Sequence, residues 1–325
     1  MRKICLLGGT GFVGKPLINH LVKKGWQIRL PTRQREKHRE LLVLPKLELV
    51  SANIHEQEQL NKQLVGCEAV INLVGILNEK GHDGTGFRKA HVELPEKLMT
   101  ACRENNVKRI LHISALNANA TEGKSHYART KGEAEDLLHA AQDLDVTTFK
   151  PSLIVGEGAP FINNFATLLR VPTPLFMLPS ATAKFAPIWV NDVAEAIVQT
   201  LDSTKHYGQR YNLCGPKVYT LQELVAYIAT LIQVKRHILP LNEKYSYWVA
   251  RFMERMPGKP YSLDNFYSSL VENVCDDNNH LSQLGITPHA IENVMSKYFS
   301  NASTPRELYS TFRHFAGREL SAFKS

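Results

Sequence analysis

A glycine-rich turn near the amino terminus constrains the fold of this chain more than any other feature. It reads GGTGFVG over residues 8–14, after the apolar run KICLL and before the amphipathic run KPLINHLVKK. In a strand–turn–helix unit, Gly8 permits a tight turn, Gly11 lets a pyrophosphate approach the backbone, and Gly14 lets the helix pack closely on the strand. Phosphate charge is favoured at the helix N-terminus. The pattern predicts a dinucleotide site; the alternative is a glycine-rich turn that binds nothing.

Apolar runs recur through the first half of the chain and alternate with amphipathic stretches: KICLLG, WQIRLPTR, LELVSA, EAVINLVGIL, KRILHISAL and VTTFKPSLIVG. Runs rich in Ile, Val and Leu indicate strands buried on both faces, and intervening helices indicate right-handed parallel crossovers. The chain is therefore predicted to be α/β, with a Rossmann-type doubly wound parallel sheet and a small mixed C-terminal lobe. We expect the nucleotide-binding domain over 1–157, completed by parts of 183–215, and the smaller substrate lobe over 158–325.

The end of the second strand selects the cofactor in such folds. An acidic residue there accepts from a ribose 2′-hydroxyl, whereas arginine accommodates a 2′-phosphate. Here QIRLP runs into TRQREKHR, with no acid where one is expected. Arg33 is the first choice for a 2′-phosphate and Arg35 the second, so NADPH is favoured over NADH. The alternative is a solvated basic helix face, which describes Lys37 and Arg39 better than Arg33.

Two further strand ends supply candidate cofactor contacts. Asn53 and Ile54 follow the third strand, and Asn72, Val74 and Gly75 follow or end the fourth. Ligands of open α/β sheets lie outside the carboxyl ends of the strands. We therefore expect Asn53 and Ile54 near an adenine, and the other three residues near its ribose.

The stretch SHYARTKGEAE contains Tyr127 and Lys131, four residues apart at the predicted start of a helix. That spacing places both side chains on one helical face. A phenol has a pKa near 10, and a neighbouring ammonium favours the phenolate. The pair is therefore expected to transfer protons, with the pKa of Tyr127 lowered by Lys131.

Together these motifs resemble the short-chain dehydrogenase/reductase superfamily in its extended or atypical branch. More closely, the chain is similar to the group related to the nucleotide-binding accessory subunit of respiratory complex I, through VINLVGIL, FRKAHVELPEKL, HISALNA, SHYARTKGEAE, FKPSLIVGEG, IWVNDVAEAI and YNLCGP. In active members the tyrosine donates a proton to a carbonyl, and the lysine lowers its pKa and holds the nicotinamide ribose. The resemblance implies that the dinucleotide is held by Gly8, Thr10, Gly11, Phe12, Val13, Gly14 and Arg33, and that the nicotinamide lies near Tyr127, Lys131 and Pro151.

One departure from the family pattern bears on activity. Relatives usually carry Ser or Thr as the second residue of the pair that ends the fifth strand, where the hydroxyl bonds the substrate carbonyl. In HISALNA the first residue is Ser114 and the second is Ala115. Ser114 is the catalytic candidate that remains. Ser114 or Ser125 could supply the missing hydroxyl only if the end of the fifth strand were shifted relative to the family pattern.

Two functions from different classes follow. The first is an NADPH-dependent oxidoreductase acting on a small carbonyl or quinone-like molecule. The second is a non-catalytic nucleotide-binding accessory protein that supports a respiratory complex I or quinone-biosynthesis assembly. The retained Tyr127 and Lys131 favour the first function, and Ala115 favours the second.

Composition and the remaining motifs add weaker expectations. A formal charge of +8 suits anionic partners, although no nucleic-acid-binding motif accompanies it. The dispersed cysteines indicate reduced, buried thiols and no metal site. Without a signal peptide or an apolar run long enough to span a bilayer, the protein is expected to be cytoplasmic or peripheral at the inner membrane. A short helix is expected over 304–325.

Two expectations concern helices. Residues 88–105 carry apolar groups at helical spacing, with Pro95 expected near the first turn or at a kink. In IWVNDVAEAI, Asn191 or Asp192 is expected to be the N-cap of a helix, with Asp192 in a structural role that ties parts of the fold together.

Overall fold

A seven-stranded parallel sheet forms the centre of the computed structural model, which describes residues 2–173, 175–256, 259–275 and 278–299. The strands are β1 (Lys3–Leu7), β2 (Gln27–Thr32), β3 (Leu47–Ser51), β4 (Ala69–Asn72), β5 (Arg109–Ile113), β6 (Asp145–Pro151), β7 (Ile154–Val155), β8 (Leu175–Leu178), β9 (Lys184–Phe185), β10 (Ile188–Trp189), β11 (Arg210–Leu213), β12 (Tyr219–Thr220) and β13 (His237–Pro240). The α-helices are α1 (Gly14–Lys23), α2 (Gln57–Leu64), α3 (Thr85–Arg88), α4 (Leu94–Glu104), α5 (His126–Ala140), α6 (Pro160–Arg170), α7 (Val190–Thr200), α8 (Leu221–Leu231), α9 (Glu243–Met253), α10 (Leu263–Ser269) and α11 (Ile291–Phe299).

The strand order of the sheet is β11-β6-β5-β4-β1-β2-β3, with every pairing parallel. The order reverses between β1 and β4, and the crevice outside the carboxyl ends of those two strands is where such sheets bind ligands. The predicted doubly wound α/β fold is confirmed.

Both faces of the sheet are covered, which explains why its strands are continuous apolar runs. Ile4 and Leu6 of β1 pack into the core beside α1 and α7, whereas Cys5 and Leu7 pack beside α2 and α4 on the opposite face. Successive side chains of a strand point to opposite faces, so a strand buried on both sides has no polar positions to alternate with.

The C-terminal part of the chain builds a separate apolar cluster from α6, α8 and α11. It is joined by small sheets that pair β8 with β13, β9 with β12 and β7 with β10. Its helix α10 contacts α5 of the nucleotide-binding part. This contact brings residues from far along the chain to the edge of the main sheet.

The helix expected over 88–105 begins earlier, at Thr85, and runs to Glu104 through a π turn at Lys89–Glu93. Pro95 follows this turn within the first turn of α4, where it has no N–H to donate. The π turn contains His91, a residue of the candidate site described below.

Two expectations about local structure are wrong. Cys214 and Cys275 form a disulfide with their Cα atoms 6.0 Å apart, whereas Cys5, Cys67 and Cys102 are free and buried. The bonded cysteines are 61 residues apart in the chain and meet only because the segment before residue 276 returns to the end of β11. The N-cap of α7 is Trp189, not Asn191 or Asp192.

Asp192 nevertheless has the expected structural role. It lies in the first turn of α7, and its buried carboxylate accepts a hydrogen bond from the backbone N–H of His289 (2.9 Å) and lies 2.7 Å from Nδ1 of the same residue. Among the described residues, every helix is too short or too polar to cross a bilayer. The helix expected over 304–325 lies outside the described residues.

Candidate dinucleotide and substrate site

The glycine turn has the geometry that a bound pyrophosphate requires. Gly8 adopts a left-handed φ of +76°, and a Cβ on it would lie 3.1 Å from the backbone of Leu73. A Cβ on Gly14 would lie 2.1 Å from the carbonyl oxygen of Gly9, so only glycine lets α1 start so close to β1. The N–H of Gly11 donates to the carbonyl of Gly8 (3.1 Å) and closes the turn.

A cleft of about 690 Å³ opens beside this turn. Thr10, Gly11 and Phe12 line one side of it, and Gly158 and Asn191 line the other. Val13 does not line the cleft, because its side chain packs against the core. In the described part of the chain no acceptor bonds the N–H groups of Phe12 and Val13. Free amides at a helix start are the donor set that binds phosphate, so the turn fits a dinucleotide.

The end of β2 presents a cluster of positive charge. Arg33 follows β2 and is exposed, and Arg35 opens the 3₁₀ helix Arg35–Val43. Burial lowers the pKa of His55, and the charges of Lys89, Arg33 and Lys97 lower it further. The ammonium group of Lys97 also donates to the carbonyl of His55 (2.6 Å).

The sequence prediction included Arg33 but missed Lys89 and Lys97. These lysines come from the helical run before and within α4, more than fifty residues further along the chain. Asn53, at the same end of the sheet, bonds locally: its side-chain amide donates to Glu56 (2.6 Å). Ile54 packs against the core formed with α2.

At the end of β4 the structure brings together several predicted residues. Asn72 is fully buried, and its side-chain oxygen accepts from the N–H of Val74 (3.1 Å). The Lys131 ammonium donates to the carbonyl of Ile113 (2.9 Å) and lies 3.5 Å from that of Val74. A Cβ on Gly75 would lie only 3.1 Å from Lys131 Nζ. Glycine at 75 therefore leaves room for the lysine beside the sheet.

His91 also lies in this site, as a buried polar residue whose two ring nitrogens both have partners. Its Nε2 accepts from the N–H of Ile76 (3.1 Å), and its Nδ1 lies 3.0 Å from the hydroxyl of Thr130. Burial, and then the charge of Lys131, lower its pKa to about 2, so the ring is neutral. Its ring lies edge-on to Tyr127, with centroids 5.5 Å apart. His91 thus fixes the loop after β4 against the tyrosine.

The pKa of Tyr127 is shifted in the direction opposite to the expectation. Burial and the negative charge of Asp264 raise it to about 12, and Lys131 has no part in the shift. Burial lowers the pKa of Lys131 to about 8. The expected lowering by the lysine is therefore wrong, and the Lys131 ammonium instead donates to backbone carbonyls.

Asp264, on α10, caps the helix that carries Tyr127. Its carboxylate accepts from the backbone N–H groups of His126 (2.6 Å) and Tyr127 (3.3 Å). Ser125 completes the cap by accepting from the N–H of Ala128 (3.0 Å) and from the hydroxyl of Ser268 (2.8 Å). A negative group at a helix N-terminus stabilises the helix. The C-terminal lobe therefore positions α5, a link that local sequence does not contain.

Replacing Asp264 with asparagine should lower the pKa of Tyr127 below about 12, because the negative charge that opposes the phenolate is removed. It should also reduce the free energy of unfolding by about 1 kcal/mol through the weakened cap. Alkaline absorbance titration, with Tyr127→Phe subtracted, measures the first effect, and denaturant unfolding measures the second. Asp83→Asn is the matched control, since Asp83 is exposed and accepts from the N–H of Thr85 (3.1 Å). An unchanged Tyr127 titration would contradict this assignment.

A second cleft, of about 420 Å³, lies beside Tyr127. Its lining includes Ala115, Leu116, Lys150, Tyr267 and Val271. The carbonyl of Pro151, at the end of β6, accepts from the N–H of Leu116 (3.2 Å) and so holds the lining loop.

Ala115, rather than Ser114, therefore faces this cleft. The Ser114 hydroxyl is buried and has no hydrogen-bond partner among the described residues. Ser125 lines the cleft, but its hydroxyl is engaged in the cap of α5. A catalytic role for Ser114 stays a prediction.

The glycine turn, the reversal of strand order and the Tyr127–Lys131 face together invite comparison with known proteins. Residues 4–214 match the NAD dependent epimerase/dehydratase family. The chain belongs to this family. Membership confirms the resemblance to the extended short-chain dehydrogenase/reductases and supports a nicotinamide dinucleotide as the cofactor of this family member.

The proteins to which this chain is similar include a subunit of a respiratory enzyme, a reductase and a dehydratase. It is 27% identical to NADH dehydrogenase [ubiquinone] 1 alpha subcomplex subunit 9, mitochondrial, of Rattus norvegicus, over 88% of this chain and 77% of that one. It is 28% identical to ceramide reductase of Caulobacter vibrioides over 60% of this chain and 59% of that one. The dTDP-glucose 4,6-dehydratase DesIV of Streptomyces venezuelae, solved with NAD bound, shares the fold at a TM-score of 0.70 and 18% identity, over 97% of this chain and 98% of that one.

Proposed function

We propose that this family member is an NADPH-dependent reductase of a small carbonyl or quinone-like substrate. The observation that carries the proposal is the position of Tyr127, which lines a cleft with both polar and apolar walls at the carboxyl edge of the sheet, next to the loop that Lys131 and His91 hold. Such an edge is where open α/β sheets bind their ligands.

The preference for NADPH rests on charge. The charges of Arg33, Lys89 and Lys97 all act on His55, and the residue directly after β2 is Arg33 rather than the acid that would bond a ribose 2′-hydroxyl. A 2′-phosphate gains charge-assisted hydrogen bonds from such cations. NADPH, when bound, supplies the hydride that reduces the carbonyl carbon.

The protein's own groups would handle the proton. A phenol with its pKa near 12 is protonated at neutral pH and donates to the carbonyl oxygen as negative charge develops there. An alkoxide is a stronger base than a phenolate, so the proton moves to the product. Lys131, whose ammonium now donates to the carbonyl of Ile113, would hold the nicotinamide ribose of the cofactor. The high pKa keeps Tyr127 in the protonated form that the reduction requires.

A second function is favoured by one specific observation. Ala115 faces the cleft where a polarising hydroxyl is usual, and the Ser114 hydroxyl does not line it. A protein that keeps the nicotinamide end of the site without that hydroxyl suits a nucleotide-binding accessory role in a respiratory complex I or quinone-biosynthesis assembly. The similarity to a protein named as a complex I subunit supports the same alternative.

Thermal unfolding with and without cofactor tests what both functions share. A ligand at about 100 times its Kd adds about 2.7 kcal/mol to the free energy of unfolding. We expect NADPH to raise the Tm by several degrees and NADH to raise it less at the same concentration. Adenosine, which lacks the pyrophosphate, is the control. If NADPH gives no shift, both functions are overturned. If NADPH gives a shift, oxidation of NADPH by a short-chain quinone would favour the reductase function.

A further inference from the structure

Helix α9 carries an aromatic face that no other part of the described chain covers. Tyr245, Trp248 and Phe252 are 62%, 58% and 70% exposed, respectively, and Met256 just beyond the helix is also exposed. Their spacing of three and four residues places them on one side of the helix. Soluble proteins rarely expose so large a contiguous group of aromatic side chains without a use for it.

The charges of α9 are distributed unevenly around this face. At 100° per residue, Lys244, Arg251 and Arg255 lie along the edge next to Trp248. The three cations are exposed, and within the described residues no carboxylate lies at ion-pair distance from them. Glu243 and Glu254, by contrast, fall on the opposite side, toward the buried Ala250. An aromatic stripe bordered by cations matches a surface that is apolar beneath and anionic at its rim.

The inner side of α9 connects this face to the candidate substrate cleft. Tyr247 packs edge-on against Phe266 of α10 with centroids 5.7 Å apart, and Phe266 contacts Tyr267 in the same way at 5.4 Å. Tyr267 lines the cleft beside Tyr127 and is partly exposed. The aromatic face is thus the outer end of a row of rings that begins at the cleft.

We propose that the α9 face, defined by Tyr245, Trp248, Phe252 and the bordering Lys244, Arg251 and Arg255, docks on the surface of an anionic phospholipid bilayer. Trp and Phe prefer the headgroup boundary, and nearby Lys and Arg are attracted to anionic lipids. The proposal does not depend on turnover or on the identity of the cofactor. It brings the rim of the cleft close to the bilayer, where an apolar substrate would be concentrated.

Flotation of the full chain with vesicles tests the proposal. We expect binding to vesicles of equal parts phosphatidylglycerol and phosphatidylcholine, and little binding to phosphatidylcholine alone. Trp26 is buried and Trp189 is half-buried, so Trp248 is the exposed member of the three tryptophans and its emission should shift to the blue on binding. Trp248→Phe should remove that shift while leaving most of the binding.

Two variants separate the apolar and charged contributions. Trp248→Ser with Phe252→Ser should lower the vesicle partition coefficient by about tenfold or more. Lys244→Gln with Arg251→Gln and Arg255→Gln should lower it on the order of a hundredfold for anionic vesicles. Leu42→Ser with Val43→Ser is the matched control, since these exposed apolar residues lie in the 3₁₀ helix Arg35–Val43, and it should bind as the wild type does.

Three outcomes would overturn the proposal. One is no binding of the wild type to anionic vesicles. Another is unchanged binding of the Trp248→Ser/Phe252→Ser variant, which would assign any vesicle contact to another surface. The third outcome is a wild-type protein that sediments as a dimer, together with a Trp248→Ser/Phe252→Ser variant that sediments as a monomer and still binds vesicles. The α9 face would then pair two copies of the chain. Circular dichroism of each variant confirms that it is folded.

Discussion

Replacing Arg33 with alanine is expected to weaken NADPH binding by about 10- to 100-fold and to leave NADH binding almost unchanged. A hydrogen bond to a charged group contributes about 1.5–3 kcal/mol, and NADH lacks the 2′-phosphate that would receive it. Arg33 is exposed at the end of β2, so its replacement removes no packing. Isothermal titration with both nucleotides measures the effect.

Arg39→Ala is the matched control for Arg33→Ala. Arg39 belongs to the same basic run but forms an ion pair with Glu36 (Nε to Oε2, 2.7 Å). If this run is only a solvated face, the two variants should behave alike. Equal weakening of NADPH and NADH by Arg33→Ala would refute the cofactor assignment. Lys89→Gln should give a smaller selective loss, because Lys89 acts on the same region from another helix.

Tyr127→Phe is expected to reduce NADPH-dependent turnover by about 10²- to 10⁴-fold while leaving NADPH binding within experimental error. General acid catalysis contributes a factor of that size. Phenylalanine keeps the ring that packs on His91 and Phe87, with centroids 5.5 and 6.2 Å from that of Tyr127, so the fold of the site is retained. Steady-state kinetics and cofactor titration on the same preparation separate the two effects.

Tyr267→Phe controls for loss of a hydroxyl in the same cleft, and its turnover should be close to that of the wild type. If Tyr127→Phe leaves both NADPH binding and cellular function intact, the accessory function is the correct one. The pH dependence gives an independent check. Reduction should slow above about pH 8 as Lys131 loses its proton, and it should stop as pH approaches 12 and Tyr127 loses the proton that it donates.

Much of the geometry of the candidate cofactor site could be predicted because its determinants are local. Gly8, Gly11 and Gly14 lie within one turn, and the steric demands on them arise from the strand and helix on either side. The same holds for Tyr127 and Lys131, which share a helical face through their spacing alone. The doubly wound sheet followed from the alternation of buried strands and helices, which is a property of each short segment.

The electrostatic state of the site could not be predicted in this way. The pKa of Tyr127 depends on Asp264, which is 137 residues away along the chain. The lysine was expected to act on the tyrosine, but its ammonium is bonded to the carbonyls of Ile113 and Val74. His91 enters the site through a π turn that spacing rules for regular helices do not include.

The sequence by itself determined the family, the sheet and the position of the phosphate turn, because each depends on short-range patterns of glycine, apolar and charged residues. Only the tertiary structure decided that Ala115 faces the cleft, that Cys214 pairs with Cys275, and that Asp264 caps the helix of Tyr127. These features arise from contacts between segments far apart in the chain. Such contacts depend on the topology of the chain, and they cannot be predicted from short-range hydrophobic periodicity or from local motifs.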